Sequence, residues 1–161
     1  MPKISKFITT VGTDGDDYFV GTAARDIVYG GDGRDEIYGG HGADRLFGDA
    51  GDDTLSGGWG TDRLTGGAGA DTFCFDGDFG DDRVMDFDAA EGDSLMFVLY
   101  DPSQADWTGD DLLALCVQDG SSVVIALPGS DERATLYDTD LSDLSASTFQ
   151  VVYHEDPGLV A

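Results

Sequence analysis

Aspartates recur every nine residues along one stretch of this sequence, and their carboxylates are its best candidates for chemistry. They hold the sixth position of seven consecutive rows of nine residues, from Gly12 to Cys74. Each row begins with glycine and has an apolar residue at its eighth position. The seven aspartates are Asp17, Asp26, Asp35, Asp44, Asp53, Asp62 and Asp71. Carboxylates on so strict a period indicate a repeated cation site rather than one catalytic pair.

The glycines of these rows predict tight loops whose backbone oxygens face inward. They lie only at the first, second and fourth positions, where positive φ and close backbone approach are most useful. We therefore expect the first six residues of a row to form a turn and the last three a strand. Carbonyl groups near the fourth position are candidate ligands beside the aspartates. These positions are Gly15, Gly33, Gly42, Gly51, Gly60 and Gly69, with Ala24 replacing glycine in the second row.

The apolar residue at the eighth position predicts how the strands stack. One row cannot bury a single side chain alone, whereas two rows per turn of a coil would form two short parallel sheets facing each other. One sheet would then contribute Phe19, Ile37, Leu55 and Phe73, and the other Val28, Leu46 and Leu64. The core of such a coil is only one side chain deep.

Charge and core size together point to a hard metal ion. The chain has 161 residues, 33 of them acidic against 8 Lys and Arg, with a formal net charge of -25. This charge disfavours nucleic acid and anionic membranes as partners and opposes compaction. Seven buried side chains cannot offset the backbone entropy of so many loops. Carboxylate and carbonyl oxygens suit Ca²⁺, which accepts six to eight oxygen ligands in flexible geometry. Zn²⁺ would instead favour His or Cys.

The rows resemble the G-G-x-G-x-D-x-U-x repeat of RTX (hemolysin-type) proteins. The resemblance implies an all-β fold: a calcium-loaded parallel β-roll followed by a β-rich C-terminal cap with one or two short helices. It also implies that each ion lies between one row and the next row on the same side. The aspartate pairs would be Asp17/Asp35, Asp26/Asp44, Asp35/Asp53, Asp44/Asp62 and Asp53/Asp71. About five interior Ca²⁺ ions would bring the formal charge to about -15.

Two weaker rows follow Cys74. Gly80 to Val84 and Gly92 to Leu95 keep the glycine, aspartate and apolar offsets in part. Residues 83–97 (RVMDFDAAEGDSLMF) resemble the segment after the repeats in serralysin-type proteases and alginate epimerase R-modules. That resemblance implies further ligands at Asp82, Asp86 and Asp93, for up to about eight sites.

The remaining sequence predicts a cap on the open end of the roll. We expect a short helix within 106–114, a hairpin of 115–118 and 122–127, a strand at 134–137, a helical turn within 141–146 and a strand at 149–153. The predicted domains are an N-terminal lead-in strand (1–11), the β-roll (12–97), a capping and secretion region (98–153) and a tail (154–161). Cys74 and Cys116 have no metal-site spacing and are interpreted as small apolar residues or one optional disulfide.

Calcium-coupled folding after export is the predicted function. The C-terminal order of elements resembles RTX proteins that leave the cell by type I secretion, and no N-terminal signal peptide or membrane span is visible. The predicted location is therefore secreted, extracellular or cell-surface. The sequence has no H-E-x-x-H, no G-x-S-x-G and only two distant histidines, His41 and His154, so we expect no catalysis.

Two binding functions remain as alternatives. The outward residues Tyr29, Arg45, Phe47 and Arg63 would form a stripe suited to an alginate-like polyuronate, because rings stack on sugars and arginine pairs with carboxylates. Tyr18, Val20 and Tyr38 on the other sheet would support calcium-dependent self-association or surface attachment. The other loop residues are interpreted as solvated or surface positions; these are Asp14, Asp16, Asp32, Asp49, Asp52, His41 and Trp59.

Overall fold

The computed structural model describes residues 8–154, and the chain winds through them as a β-solenoid closed at one end by further strands. The predicted all-β fold, with parallel sheets in a roll and a few short helices near the end, is confirmed. The strands are β1 Ile8–Val11, β2 Tyr18–Val20, β3 Asp26–Asp32, β4 Glu36–Gly42, β5 Arg45–Ala50, β6 Thr54–Gly60, β7 Arg63–Ala68, β8 Thr72–Asp76, β9 Asp81–Val84, β10 Ser94–Leu99, β11 Cys116–Asp119, β12 Ser122–Ala126, β13 Arg133–Leu136 and β14 Phe149–Tyr153.

Alternate strands of the coil belong to two sheets. Sheet A has the order β1-β3-β5-β7-β9-β13-β12-β11, and sheet B has the order β14-β10-β8-β6-β4-β2. Neighbouring strands from the repeats are parallel and offset by 18 residues, as in the pairing of Val28 with Leu46 and of Ile37 with Leu55. This offset is two rows of nine, so every second row adds to the same sheet.

The core of the roll is a single file of eighth-position side chains. Ile37, Leu46, Leu55, Leu64 and Phe73 are fully buried, and Val28 nearly so. Phe19, in the first row, is only partly buried, since β2 is the edge strand of sheet B among the described residues. The alternation of buried and more exposed residues in each strand follows from side chains pointing to opposite faces.

Except for β2, the strands of the repeats are longer than the three residues expected. β3, β4 and β6 each have seven residues and continue through the glycines of the following row. The cause is loop stacking: Gly40 pairs in register with Gly58, and His41 with Trp59. The paired glycine segments thus extend both sheets to the edges of the roll.

The C-terminal strands extend the same two sheets instead of forming a separate lid. β13 pairs parallel to β9, the antiparallel β11–β12 hairpin follows it, and β14 pairs parallel to β10. A short helix, α1 (Gly109–Leu113), begins after Thr108, whose backbone N–H donates to the Asp111 carboxylate at 2.8 Å. A 3₁₀ turn, Leu141–Asp143, lies within the segment 141–146 where one helical turn was expected, and a second, Ala146–Thr148, begins at its end.

Candidate calcium-binding loops

The repeat aspartates form two columns, one along each edge of the roll. In each column, the Oδ1 atom of one aspartate accepts the backbone N–H of the aspartate 18 residues earlier, at 2.7–2.9 Å. The five pairs so formed are Asp17/Asp35, Asp26/Asp44, Asp35/Asp53, Asp44/Asp62 and Asp53/Asp71. These are the pairs implied by the family resemblance, here in direct backbone contact.

Two aspartates of the weaker rows continue the columns. Asp82 Oδ1 accepts the N–H of Asp62 at 2.9 Å, and Asp93 Oδ1 accepts the N–H of Asp71 at 2.9 Å. The odd column therefore consists of Asp17, Asp35, Asp53, Asp71 and Asp93. The even column consists of Asp26, Asp44, Asp62 and Asp82. The columns continue although the spacing between aligned aspartates increases from 18 residues to 20 and 22.

The second oxygen of most of these carboxylates has no partner. The aspartates concerned are at most 1% exposed, and their Oδ2 atoms are buried without a hydrogen bond. They are Asp35, Asp44, Asp53, Asp62, Asp71 and Asp82. A buried charged oxygen without a donor or a cation carries a large desolvation cost. Each of these oxygens is therefore a position where a bound cation would remove that cost.

Three of the interior carboxylates, those of Asp35, Asp44 and Asp53, share their space with a carbonyl of the next loop. A methyl group built on Gly39 would lie 2.6 Å from the Gly57 carbonyl oxygen and 2.7 Å from Asp44 Oδ2. Gly30 and Gly48 are flanked in the same way, by Asp35 and Asp53 with the Gly48 and Gly66 carbonyls. Only glycine leaves this space open. An all-oxygen pocket of carboxylate and carbonyl groups fits Ca²⁺.

The fourth-position glycines lie on top of one another in the outer turn of the loops. Gly51 has a φ of 141°, and a methyl group on it would overlap the carbonyl oxygen of Gly33. Gly60 and Gly69 lie in the same way over Gly42 and Gly51, while Gly33 lies over the backbone of Gly15. The predicted carbonyl positions are therefore stacked along the same edges as the aspartates.

Burial disfavours the ionised form of these carboxyl groups in the absence of a cation. It raises the pKa of Asp44 and Asp71 to about 7, that of Asp53 to about 6 and that of Asp82 to about 8. Neighbouring carboxylates add to the effect, and hydrogen bonds from backbone N–H groups oppose it. Burial likewise raises the pKa of Asp35, Asp62 and Asp93.

Asp86, the third ligand carried over from the resemblance, lies outside both columns. Its carboxylate accepts the backbone N–H groups of Gly66 and Gly67 at 3.0 and 2.9 Å. It thus binds the start of the last regular loop from outside. Among residues 8–154, no three acidic, histidine or cysteine side chains converge in a way that would hold a metal by themselves.

The loop residues interpreted as surface positions lie on the outside of the roll. Asp52 forms an exposed ion pair with Arg34 at 3.2 Å and accepts the N–H of Ala70. The rings of His41 and Trp59 meet edge to face, with centroids 4.6 Å apart.

Cys74 and Cys116 are both free, and burial raises the pKa of each thiol to about 11.

The outward face of sheet A carries the stripe suggested by the sequence. Tyr29 and Phe47 stack with centroids 4.8 Å apart and an interplanar angle of 8°. Arg45 pairs in register with Arg63, and Arg63 with Arg83, on adjacent strands. Arg83 extends the cationic row beyond the two arginines singled out in the sequence.

The fold and the two carboxylate columns define a class: a calcium-binding parallel β-roll built from short repeats. Residues 11–46 and 38–73 each match the family model of the RTX calcium-binding nonapeptide repeat. Residues 11–73 therefore contain RTX calcium-binding nonapeptide repeats, wound as a parallel β-roll, as the sequence pattern predicted. No curated protein matches the sequence.

Several solved structures are similar to the chain. The extracellular lipase LipA from Serratia marcescens is 19% identical over 92% of this chain, with a TM-score of 0.49. This chain spans only 40% of that lipase. The AlgE6R2 subunit of the Azotobacter vinelandii mannuronan C5-epimerase is 25% identical over 93% of this chain and 95% of the subunit (TM-score 0.47). The AlgE6R3 subunit is 28% identical over 86% of this chain and 80% of its own length (TM-score 0.39).

Proposed function

We propose that this chain is a secreted, non-catalytic module whose repeat segment folds when it binds extracellular Ca²⁺. The observation that carries the proposal is the set of six buried Oδ2 atoms without a hydrogen-bond partner. Each needs either a proton or a cation. The pockets of Asp35, Asp44 and Asp53 offer carboxylate and carbonyl oxygens, the ligands that Ca²⁺ prefers.

Electrostatics explains why the ion would control folding. Without Ca²⁺, folding of the repeats brings carboxylates of one column close together at strand spacing and removes them from water. The single-file core offers little compensation. A divalent ion between two loops neutralises this charge and joins the loops, so that binding free energy becomes folding free energy.

This coupling suits export of the chain in an unfolded state. RTX-like sites of moderate affinity would stay empty at cytosolic Ca²⁺ and fill at extracellular concentrations of roughly 1 mM. Type I secretion would then deliver an unfolded chain to the medium, where the ions drive folding. Among residues 8–154, no helix is both long and apolar enough to cross a membrane.

Circular dichroism tests the proposal directly. The full chain is stripped with EGTA and titrated with CaCl₂, with MgCl₂ at equal concentrations as the matched control. We expect the far-UV β signal to appear with Ca²⁺ and to stay low with Mg²⁺, which demands a stricter octahedral geometry. A far-UV spectrum that EGTA leaves unchanged would contradict the proposal.

The stripe on sheet A supports a second candidate function, the binding of a polyuronate such as mannuronan. Arg45, Arg63 and Arg83 lie in register on three neighbouring strands, and adjacent strands are about 4.8 Å apart. None of them forms an ion pair with the described residues, although the chain is strongly acidic. Regularly spaced guanidinium groups beside the stacked Tyr29 and Phe47 rings offer carboxylate contacts and a sugar-stacking surface.

A binding assay with mannuronan and a neutral glycan tests this second function. The Arg45→Ala/Arg63→Ala double variant should lose most of its affinity for mannuronan. The Arg34→Ala variant should keep it, because Arg34 pairs with Asp52 on a loop. Absence of binding by the wild-type chain in Ca²⁺, or equal binding by both variants, would reject the polyuronate function.

A further inference from the structure

The first loop of each column differs from all the later loops. In these two loops, the second position is threonine, Thr13 or Thr22, instead of the glycine found in most other rows. The Thr13 N–H and hydroxyl group both donate to Asp17 Oδ2, at 2.7 and 2.9 Å. Thr22 donates in the same way to Asp26 Oδ2, at 2.6 and 3.0 Å. The Oδ2 atom, which has no hydrogen-bond partner in the interior loops, thus accepts two hydrogen bonds in each of the first two loops.

The odd column is also closed at its other end. Asp93 uses Oδ1 for the Asp71 N–H, and its Oδ2 accepts the N–H of Asp88 at 2.8 Å. The even column ends at Asp82, whose Oδ2 remains without a partner beside β13. Orphan Oδ2 atoms therefore occur three to a column: Asp35, Asp53 and Asp71 in the odd column, and Asp44, Asp62 and Asp82 in the even column.

We propose that the hydrogen-bonded pairs Thr13–Asp17 and Thr22–Asp26 replace calcium in the first two loops. Residues 8–154 would then bind six ions, one at each Oδ2 atom without a hydrogen-bond partner. This inference rests on the proposed calcium-binding function and sets its stoichiometry. Asp17, Asp26 and Asp93 are closing residues that hold their loops through hydrogen bonds. The number differs from the five interior sites inferred from the sequence, because Asp82 adds a third ion-binding loop to the even column.

The Asp26 carboxylate fits this assignment despite one further unpaired atom. Its Oδ1 is buried without a partner. In later rows, the equivalent oxygen faces the aspartate of the preceding loop, but the residue in register with Asp26 is Ile8. An ion at this point would lack a carboxylate from the preceding row.

The Thr–Asp pairs also imply that each column folds from its first loop onwards. A Thr–Asp loop can form without metal, since both side chains satisfy each other locally. The next loop then has a preformed neighbour on which its aspartate N–H and carbonyl groups can stack. Substitution by Val removes the hydroxyl bond but keeps the backbone N–H. Thr13→Val/Thr22→Val should therefore weaken the first coil and leave the number of ions unchanged.

Native mass spectrometry of the full chain in Ca²⁺ tests the assignment by counting ions. We expect six in the wild type, six in Asp17→Asn/Asp26→Asn, and four in the matched interior variant Asp53→Asn/Asp62→Asn. Loss of two ions from Asp17→Asn/Asp26→Asn would overturn the inference and leave the calcium-binding function intact. A wild-type chain that binds no Ca²⁺ would instead reject the proposed function itself.

A second measurement avoids the variants altogether, in case Asp17→Asn/Asp26→Asn does not fold. Anomalous scattering from a crystal of the wild-type chain grown in CaCl₂ locates the ions individually. Peaks at the six orphan oxygens and none at Asp17, Asp26 or Asp93 are expected. A peak coordinated by Asp17 or Asp26 would overturn the inference.

Discussion

The repeat segment (12–74) and the C-terminal region (75–153) continue the same two sheets but have different interiors. In the repeats, each row contributes one buried apolar side chain and one aspartate. In the C-terminal region, a cluster of rings fills the core: Phe75 lies 5.1 Å from Phe79 and 4.9 Å from Phe97, and Phe97 lies 6.5 Å from Phe149, centroid to centroid. The interior of the repeats depends on charge neutralisation. That of the C-terminal region depends on apolar burial beyond Asp82 and Asp93, which end the carboxylate columns.

The difference shows how one fold can be stabilised in two ways. The C-terminal core adds aliphatic residues of β12 and β13, such as Ile125 and Leu136, to its rings, and all are buried. Such packing contributes free energy without any ligand. The repeats instead bury carboxylates whose unpaired oxygens oppose folding until a cation arrives. We therefore expect the C-terminal region to be ordered before the repeats.

Acidification should have the largest effect, because it acts on several repeat aspartates at once. The pKa values of Asp44, Asp53, Asp71 and Asp82 are about 6 to 8 in the folded chain, against about 4 for an unfolded aspartate. The folded state therefore binds more protons than the unfolded state. The free energy of unfolding of the calcium-free chain should rise as the pH falls from 8 and level off near pH 4.

Far-UV circular dichroism in EGTA between pH 8 and 4.5 measures this effect. Partial recovery of the β signal at the acidic end is the expected result, with little pH dependence in saturating Ca²⁺ near neutrality. A calcium-free chain that loses β structure as the pH falls through this range would show that the buried carboxyl groups do not control folding.

Removal of a ring from the C-terminal core should have the next largest effect, independent of calcium. Phe97 is fully buried among three other rings. Phe97→Ala should lower the free energy of unfolding of that region by about 3–5 kcal/mol both in Ca²⁺ and in EGTA.

The two tryptophans allow this result to be read region by region. Trp59 lies in β6 of the repeats, and Trp107 lies in the C-terminal region, where it is partly buried against the core. Urea unfolding followed by Trp107 fluorescence, in a Trp59→Phe background, isolates the C-terminal region. Val117→Ala, at a 61% exposed strand position, is the control and should change little. A cost that vanishes in EGTA would mean that the C-terminal region is unfolded without calcium.

A single interior aspartate should have a smaller effect whose sign depends on calcium. Asp53→Asn removes one buried charge, so it should stabilise the calcium-free repeats. In Ca²⁺ at about 100 times the dissociation constant, it should cost about 2–3 kcal/mol, the linkage free energy of one lost ion. Urea unfolding in Ca²⁺ gives the cost, and the far-UV β signal in EGTA, compared with that of the wild type, gives the effect on the calcium-free repeats.

The neighbouring residue Asp52 provides the control for this experiment. Its carboxylate is exposed, and hydrogen bonds from Ala70 and Arg34 hold its pKa below the ordinary value. Asp52→Asn should leave the calcium dependence unchanged. An Asp53→Asn variant that destabilises the chain equally in Ca²⁺ and in EGTA would assign Asp53 a purely structural role.

Much of the roll could be predicted because its contacts repeat with the sequence. A period of nine and two rows per turn fix the partner of every repeat residue 18 positions away, which placed Leu46 against Val28 and Asp53 beside Asp35. The aspartate and apolar offsets also located Asp82 and Asp93 in rows of irregular length.

The features that the sequence did not predict depend on contacts outside the period. The pairing of β13 with β9 joins residues about fifty positions apart, and no repeat specifies it. Thr13 and Thr22 were visible as departures from glycine, yet their role emerges only from their bonds to Asp17 and Asp26. A threonine at the second position of an end row is the signal that could have identified them.

Hydrogen exchange measured by mass spectrometry, with and without Ca²⁺, tests the central difference between the two regions. Peptides from the C-terminal region are taken from 94–153, beyond Asp82 and Asp93 of the carboxylate columns. In Ca²⁺, peptides from 12–74 and from 94–153 should both be protected. In EGTA, we predict that peptides from 12–74 lose their protection while those from 94–153 retain most of theirs. Protection of 12–74 that survives chelation, or an equal loss in both regions, would contradict the account.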